Sequence, residues 1–259
     1  MECRVVVLGG CGAWPEPGRA CSGFLLEHDG FRVALDLGYG TLPRLLSLLG
    51  STTAVGLDAI VVTHDHPDHV VDLHGLLRAR LYDGRQQPRI PLYSPEAVLE
   101  RIAGLEDSDR STAELVFTWR PLPAGAYEVG PFRLESRLLP HYVPNAGVRL
   151  STPTLTVAYT GDTGPHPALT ELGRDADLYI VDATDRWQQA GDPPAAAGPP
   201  MNLTSREAGE AAAAAAADRL MLTHFWPGND RDRSREAAAA MFSGEVLIAD
   251  EGAVVDLRR

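Results

Sequence analysis

The sequence predicts a mixed α/β fold, and three observations carry that reading. Short apolar runs of strand length, several rich in Val and Ile, recur at residues 4–8, 59–62, 179–181 and 219–222. Leucines recur with helical spacing at Leu42, Leu45, Leu46 and Leu49, and again at Leu73, Leu76, Leu77 and Leu81. At 259 residues, with 44% hydrophobic content and no central linker, the chain is expected to form one domain, residues 1–259, with a large core.

Composition narrows the function classes. The formal charge is −12, and all 23 basic residues are Arg because the chain has no Lys. A field of that sign repels long polyanions and argues against a nucleic-acid partner. No apolar run approaches the ~20 residues that a membrane span needs, so no membrane partner is expected. Met1-Glu2-Cys3-Arg4 leads straight into a strand-like run, which does not fit a signal peptide. Cys3, Cys11 and Cys21 make an odd count in a long chain, as reduced cytoplasmic thiols do, and a cytoplasmic protein is the expectation.

Taken in order, residues 4–8 form a strand that stops at Gly9-Gly10-Cys11-Gly12. Glycines after a strand can cradle phosphate, but Ala13-Trp14-Pro15-Glu16-Pro17 does not open a helix as a dinucleotide-binding turn does, and a tight loop is the better reading. Residues 22–27 and 31–35 read as a hairpin about His28-Asp29-Gly30, with His28 in the turn. Asp36 ends the second strand, in a place to cap the helix that runs through Leu42 and Leu49 to Gly50. Residues 71–82 form a further helix carrying His74 as a structural or surface residue, and the polar connection 83–91 holds no long basic insertion. Residues 95–104 are the next helix, with Pro95 in its first turn.

In the second half, Phe132, Leu134 and Ser136 alternate with Arg133, Glu135 and Arg137 as a strand, and His141 follows it. Residues 155–160 form a strand that ends in Gly161-Asp162-Thr163-Gly164, where the glycines let the backbone turn and aim Asp162 over the strand end. Tyr179-Ile180-Val181-Asp182 is a buried strand ending in a carboxylate. The Ala-, Pro- and Gly-rich segment 189–200 reads as a loop near the site, either a lid or plain surface. Thr204-Ser205-Arg206-Glu207 is a capping box opening a helix through Ala208 to Ala217. A strand at 219–222 ends in Thr223-His224. Arg231, Arg233 and Arg235, interleaved with Asp230, Asp232 and Glu236, read as a solvated helix start rather than a phosphate patch. Residues 245–250 and 253–257 read as a strand pair closing the second sheet.

The stretch from Thr63 to His69, Thr-His-Asp-His-Pro-Asp-His, carries the chemistry. A solvated turn would mix Lys, Glu, Asn and Ser, whereas this one collects three His and two Asp, the ligand set of zinc and its neighbours. His64 and His66 lie two apart, and Asp68 and His69 are adjacent, a spacing that points to two metal ions. His141, Asp162 and His224 each stand just beyond a strand, where side chains from several strands converge.

The stretch resembles the His-x-His-x-Asp-His signature of the metallo-β-lactamase superfamily, and the ordered His141, the Asp162 in a Gly-Asp-Thr context, and the late His224 extend the match over most of the chain. The resemblance implies a four-layer αββα sandwich and two divalent metal ions, zinc first and manganese or iron as alternatives. It implies that one ion takes His64, His66 and His141, that the other takes Asp68, His69 and His224, and that Asp162 bridges both. Asp36 would then support the metal histidines, a second reading beside the helix cap. A bridging Asp in place of the Cys of zinc β-lactamases points towards the phosphodiesterase and glyoxalase branches. Tyr179 to Thr184 is similar to the acidic-Ala-Thr turn of the ribonuclease Z-like and cyclic-nucleotide phosphodiesterase branches, although the acid there is usually Glu and here is Asp182. Those branches place a His two residues before Thr204, where this chain has Asn202, which cannot act as an acid near neutral pH.

The function implied is hydrolysis of a small phosphodiester, such as a cyclic nucleotide, by a metal-bridging hydroxide. Asp68 would orient it, Asp182 would support the ligands or handle protons, and Asn202 and Thr163 would bind the phosphate. A ribonuclease Z-like RNA endonuclease, a thioester or lactone hydrolase, and a non-enzymatic metal-binding scaffold are the alternatives. A homodimer is compatible with the sequence.

Overall fold

The computed structural model describes residues 3–106, 109–189 and 198–257. The first half of the chain lays down β1 (Cys3–Gly9), β2 (Gly23–His28), β3 (Phe31–Leu37), α1 (Thr41–Leu49), β4 (Ala59–Val61), α2 (Pro67–Tyr82), β5 (Ile90–Ser94), α3 (Ala97–Gly104), α4 (Arg110–Glu114) and β6 (Phe117–Pro121). The second half follows with β7 (Ala126–Val129), β8 (Phe132–Leu139), β9 (Asn145–Ser151), β10 (Thr156–Tyr159), α5 (Ala168–Gly173), β11 (Leu178–Asp182), α6 (Ser205–Ala214), β12 (Arg219–Thr223), α7 (Arg231–Ala239), β13 (Glu245–Ile248) and β14 (Val254–Asp256).

Among the described residues these strands form two seven-stranded sheets, ordered β14-β1-β2-β3-β4-β5-β6 and β13-β12-β11-β10-β9-β8-β7. Each sheet joins an antiparallel part to a parallel part, β3 to β6 in one and β10 to β13 in the other. Parallel neighbours need a crossover, and the helices supply it, each parallel connection carrying at least one. Three apolar clusters follow. Phe24, Leu26, Phe132, Val148 and Tyr159 lie between the sheets. Leu45, Leu73, Leu77, Ile102 and Phe117 lie under the helices of the first sheet. Tyr179, Ala208, Leu222 and Phe242 lie under those of the second. The result is the four-layer αββα sandwich.

Local chemistry sets the joints that matter for the site. The β2–β3 hairpin turns at Asp29 and Gly30, both at positive φ (46° and 86°), the geometry of a tight primed turn. His28 is not in that turn but is the last residue of β2, buried against Phe132. The helix predicted from Val71 begins earlier, at Pro67, because proline suits the first helical position and no Ser or Thr cap marks the start. Asp230 caps α7 by accepting from the backbone of Asp232 and Arg233, so the Arg cluster opens a helix, as its sequence indicates. The capping box of α6 forms between Thr204 and Glu207.

The last two strands are not a pair closing the second sheet. β13 extends that sheet parallel to β12, while β14 crosses over and pairs antiparallel with β1 at the edge of the first. The turn at Glu251-Gly252 between them redirects the chain, with Gly252 at φ 81° and its N–H donating to Val7 O at 2.9 Å. Strand β9 is not evident in the sequence because Gly147 interrupts it; a Cβ there would lie 2.6 Å from Leu139. The lid reading of residues 189–200 falls largely outside the described residues. Among the described residues no helix is long and apolar enough to cross a membrane.

Phe132 is fully buried between the sheets, whereas Leu138 on the same strand is 57% exposed. Phe132→Ala should destabilise the protein by about 3–5 kcal/mol. Leu138→Ala should change stability by no more than about 0.5 kcal/mol. Equal urea midpoints for the two variants would contradict the layer assignment.

Candidate metal centre

His64, His66, Asp68, His69, His141, Asp162 and His224 meet beyond the carboxyl ends of strands from both sheets. Each arrives there for a local reason. His64 and His66 follow β4 on an extended segment, and Pro67 then starts α2, which places Asp68 and His69 in its first turn, where a helix favours a carboxylate. Gly161 at φ 59° turns the chain after β10, and no side chain fits there, since a Cβ would lie 2.4 Å from Asn145 Oδ1. His224 itself takes φ 59°, a strained backbone for a residue with a side chain, at the end of β12. Its ring packs on Gly12, where a Cβ would stand 2.7 Å away. The glycine loop after β1 is therefore a tight loop that gives His224 room, and Gly12 N–H ties it to Phe225 O at 2.9 Å.

Seven side chains form two groups sharing one member. His64, His66, His141 and Asp162 offer ligand atoms within 4.8 Å of one another, and so do Asp68, His69, Asp162 and His224. The division is the one the sequence resemblance implies, with Asp162 common to both. Its Oδ2 lies 3.1 Å from His224 Nε2, 3.5 Å from His141 Nε2 and 3.8 Å from His64 Nε2, while Oδ1 lies 3.2 Å from His69 Nε2.

Each of four imidazoles is held from behind, which decides the nitrogen it turns inward. His69 Nδ1 lies 2.7 Å from Asp36 Oδ2, a carboxylate that only accepts, so Nδ1 carries the proton. Thr63 donates its hydroxyl to Asp36 at 2.8 Å and accepts from His64 Nδ1 at 3.1 Å. Thr184 donates to Asp182 at 2.6 Å and accepts from His224 Nδ1 at 2.8 Å. His141 Nδ1 donates to Met201 O at 2.8 Å. All four therefore present an Nε2 lone pair to the centre, and His66 presents Nδ1.

This arrangement fits a cation. His64 Nε2 and His141 Nε2 each approach His66 Nδ1 to 3.1 Å, lone pairs that repel unless a positive charge sits among them. His69 Nε2 and Asp162 Oδ1 are buried without a hydrogen-bond partner among the described residues. Asp36, Asp68, Asp162 and Asp182 are all buried, and among the described residues their only ion-pair partners are histidines. Four buried negative charges call for compensation, which divalent cations would supply.

The protonation preferences of these side chains reflect the same crowding. Burial, reinforced by His69, drives His64 well below the ordinary imidazole range. Burial would also lower His69, but Asp162, Asp68 and Asp36 outweigh it and push the ring up to about 10. Burial opposes ionisation of Asp68, yet His69 and His224 prevail and hold it below the carboxylate range. Neighbouring imidazoles are thus driven in opposite directions, as expected where protons stand in for metal charge.

Asp36 and Asp182 organise the centre from the two sheets. Asp36, at φ 55°, accepts from Thr63 N at 2.7 Å, Thr63 Oγ1 at 2.8 Å and Tyr159 OH at 2.8 Å, besides its contact with His69. It does not cap α1, whose N-cap is Gly40. Asp182 accepts from Thr163 N, Asn202 Nδ2 and Leu203 N on Oδ2, and from Thr184 N and Oγ1 on Oδ1. With five donors around it and no exposure, Asp182 is placed to position its neighbours.

One sequence expectation for phosphate binding needs correction. Thr163 is fully buried, its N–H donates to Asp182, and its hydroxyl donates to Gly164 O at 2.8 Å, so it has nothing left for a substrate. Asn202 directs one of its two amide N–H groups into Asp182 at 2.9 Å, so it also holds that carboxylate. The sequence reading missed the Ala13 N–H that donates to Asp68 Oδ2 at 2.7 Å, because a backbone donor leaves no mark in residue type. It also missed Tyr159 and the bridging role of Thr184. Asp65, the unassigned member of the motif, pairs with Arg101 of α3 at 2.5 Å. His74 pairs with Glu106 at 2.6 Å, away from the centre, as a structural residue.

A family model described as a Beta-lactamase superfamily domain matches residues 32–225. The chain is similar to the probable metallo-hydrolase YhfI of Bacillus subtilis, 30% identical over 97% of this chain and 98% of that protein. The crystal structure of YhfI superposes with a TM-score of 0.82 at 27% identity, covering 99% of this chain and 100% of that one. A ribonuclease Z of Kineococcus radiotolerans is 30% identical over 86% of this chain and 83% of its own length. The crystal structure of a diphosphatase from the PhnP family shares the fold, with a TM-score of 0.72 at 19% identity over 98% of this chain and 97% of that one.

Asp36 sets the tautomer and orientation of His69 without reaching the centre itself. Asp36→Asn should weaken zinc binding about 10- to 100-fold in chelator competition. Unchanged zinc affinity would show that His69 is not oriented by Asp36.

Proposed function

The chain belongs to the metallo-β-lactamase superfamily and is a metal-dependent hydrolase, and from that premise we propose that it cleaves a small phosphodiester, such as a cyclic nucleotide. The observation that carries the reading is Asp162, one carboxylate shared by two groups of ligand atoms. In this reading His64, His66 and His141 would hold one divalent ion and Asp68, His69 and His224 a second, with Asp162 serving both groups. Zinc suits the imidazole and carboxylate set, and manganese or iron are the alternatives. Bound there, the ions act as Lewis acids that make water more acidic and draw charge from phosphoryl oxygens.

The protein's own groups do the rest. Asp68, fixed by the Ala13 N–H at 2.7 Å and facing His224 at 3.1 Å, orients the attacking water towards phosphorus. Asp182 and Thr184 keep the His224 lone pair turned inward as charge shifts during the reaction. Asn202, in the place of a proton-donating His, supplies no acid to the departing oxygen. Esters with stable leaving groups, such as bis-aryl phosphates, are therefore favoured beside strained cyclic phosphodiesters.

Charge selects small substrates over RNA. The ribonuclease Z relative acts, by its name, on RNA, and its linkage is also a phosphodiester, which supports the bond type. Binding of a long polyanion draws on many phosphate contacts, and a chain of net charge −12 opposes them. The α2–β5 connection offers no long basic arm: of its two arginines, Arg85 is paired with Asp83 at 2.6 Å and Arg89 donates to Glu114 O at 3.2 Å. A small monoanion needs only the metal centre and a few donors.

One metal-loaded preparation, assayed in parallel, tests the reading. It should hydrolyse a cyclic mononucleotide or bis(4-nitrophenyl) phosphate and leave precursor tRNA uncut at physiological salt. Asp68→Ala should abolish the turnover while the far-UV circular dichroism stays that of a folded protein. Efficient tRNA cleavage with small phosphodiesters untouched supports the RNA endonuclease instead, and turnover of a thioester or lactone alone supports the other hydrolase class.

A further inference from the structure

Three loops rise directly from the metal centre and carry an aromatic cluster that the chemistry above does not use. Trp14 follows Gly12 and Ala13, which touch His224 and Asp68. Trp226 stands two residues after His224, and Arg186 and Trp187 follow Thr184, which holds His224. The rings of Trp14 and Trp226 meet edge to face, 5.0 Å apart at 78°. The Arg186 guanidinium lies over Trp187 at 5.1 Å and over Trp226 at 5.2 Å.

The loops are braced against one another before any ligand arrives. Phe225 N donates to Gly10 O at 2.9 Å, and Gly228 N donates to Glu16 Oε1 at 2.8 Å, which ties the first loop to the third. Asn229 donates to Thr184 O and Asp185 O, both at 3.0 Å, which ties the second to the third. Yet the cluster is not sealed. Trp14 remains 48% exposed, Arg186 is exposed, and Trp187 and Trp226 are only partly buried. A contact that served only to close the loops would bury these faces. Arg186 is not neutralised by an ion pair among the described residues, and its guanidinium lies over two indoles instead.

We propose that Trp14, Trp226 and Arg186 form a substrate subsite beside the metal centre, binding a flat aromatic ring next to an anionic group, as in a nucleotide. The indole faces stack the ring, a contact that tolerates any base. The Arg186 cation, partly desolvated over the indoles, draws the anion and completes the wall. The nucleotide assignment rests on the phosphodiesterase reading, while the ring-binding role of the platform does not depend on it.

Calorimetric titration of the metal-loaded full chain with AMP and with ribose 5-phosphate tests the subsite, because the two probes share a phosphate and differ in the ring. The wild type should bind AMP about fivefold or more tightly than ribose 5-phosphate. Trp14→Ala should bring the two affinities within about twofold, and Trp14→Phe should keep most of the preference. Arg186→Gln should weaken both probes. A wild type that shows no preference for AMP or binds neither probe, a Trp14→Ala protein that keeps the wild-type ratio, or unaltered binding in Arg186→Gln overturns the proposal. Hydrolysis of bis(4-nitrophenyl) phosphate by the same wild-type sample separates the two readings. Turnover without ring preference removes the subsite and leaves the phosphodiesterase. Ring preference without turnover does the reverse.

Discussion

Buried imidazoles must each be told which nitrogen to protonate, and the centre depends on how that is done. Asp36 instructs His69 directly and His64 through Thr63, and Asp182 instructs His224 through Thr184. These two carboxylates come from different sheets, one at the end of β3 and one at the end of β11. The sandwich must therefore be assembled for both to face the same place. Tyr159 makes the connection explicit, since it rises from β10 of the second sheet and donates to Asp36 of the first. Charge then follows geometry: lone pairs and carboxylates, gathered without Arg partners among the described residues, make a place that suits divalent ions.

The same constraint explains the backbone around the centre. Asp36 and His224 both sit at positive φ, where a side chain costs strain, and Gly161 and Gly12 are among the glycines with no room for a Cβ. Strain of this kind persists only where surrounding contacts hold it. Here the β12 end is gripped by the glycine loop on one side and by Thr184 on the other. The loops that do the gripping also carry Trp14 and Trp226, so ligand geometry and the outer wall of the site are built by the same turns.

How far the site was legible depends on whether its information is local. The run from Thr63 to His69 announces itself because five potential ligands crowd into seven positions. His141, Asp162 and His224 are ordinary residues alone, and only their order, each just beyond a strand, and their family resemblance make them stand out. Helices α1 and α2 were readable from leucine spacing, whereas the short α4 and α5 were not read at all, and the start of α2 was missed because His66 and Pro67 belong at once to the metal stretch and to the helix. The placement of β14 was unreadable, since a short strand carries no sign of which sheet will accept it. Thr163 misled because its hydroxyl is polar in sequence yet turned inward to Gly164. Asp182 stood open in sequence between supporting the ligands and handling protons, and its five donors favour the first; the Ala13 N–H could not be read from a side chain at all.

The central claim is that seven side chains with one shared carboxylate make a place for two divalent ions. Zinc titration into metal-stripped protein, followed by elemental analysis after gel filtration, tests it most directly. The account predicts about two zinc ions per chain, since a single tetrahedral zinc leaves three of the seven ligands unused. A reproducible value near one, unchanged by excess zinc or manganese, would contradict it.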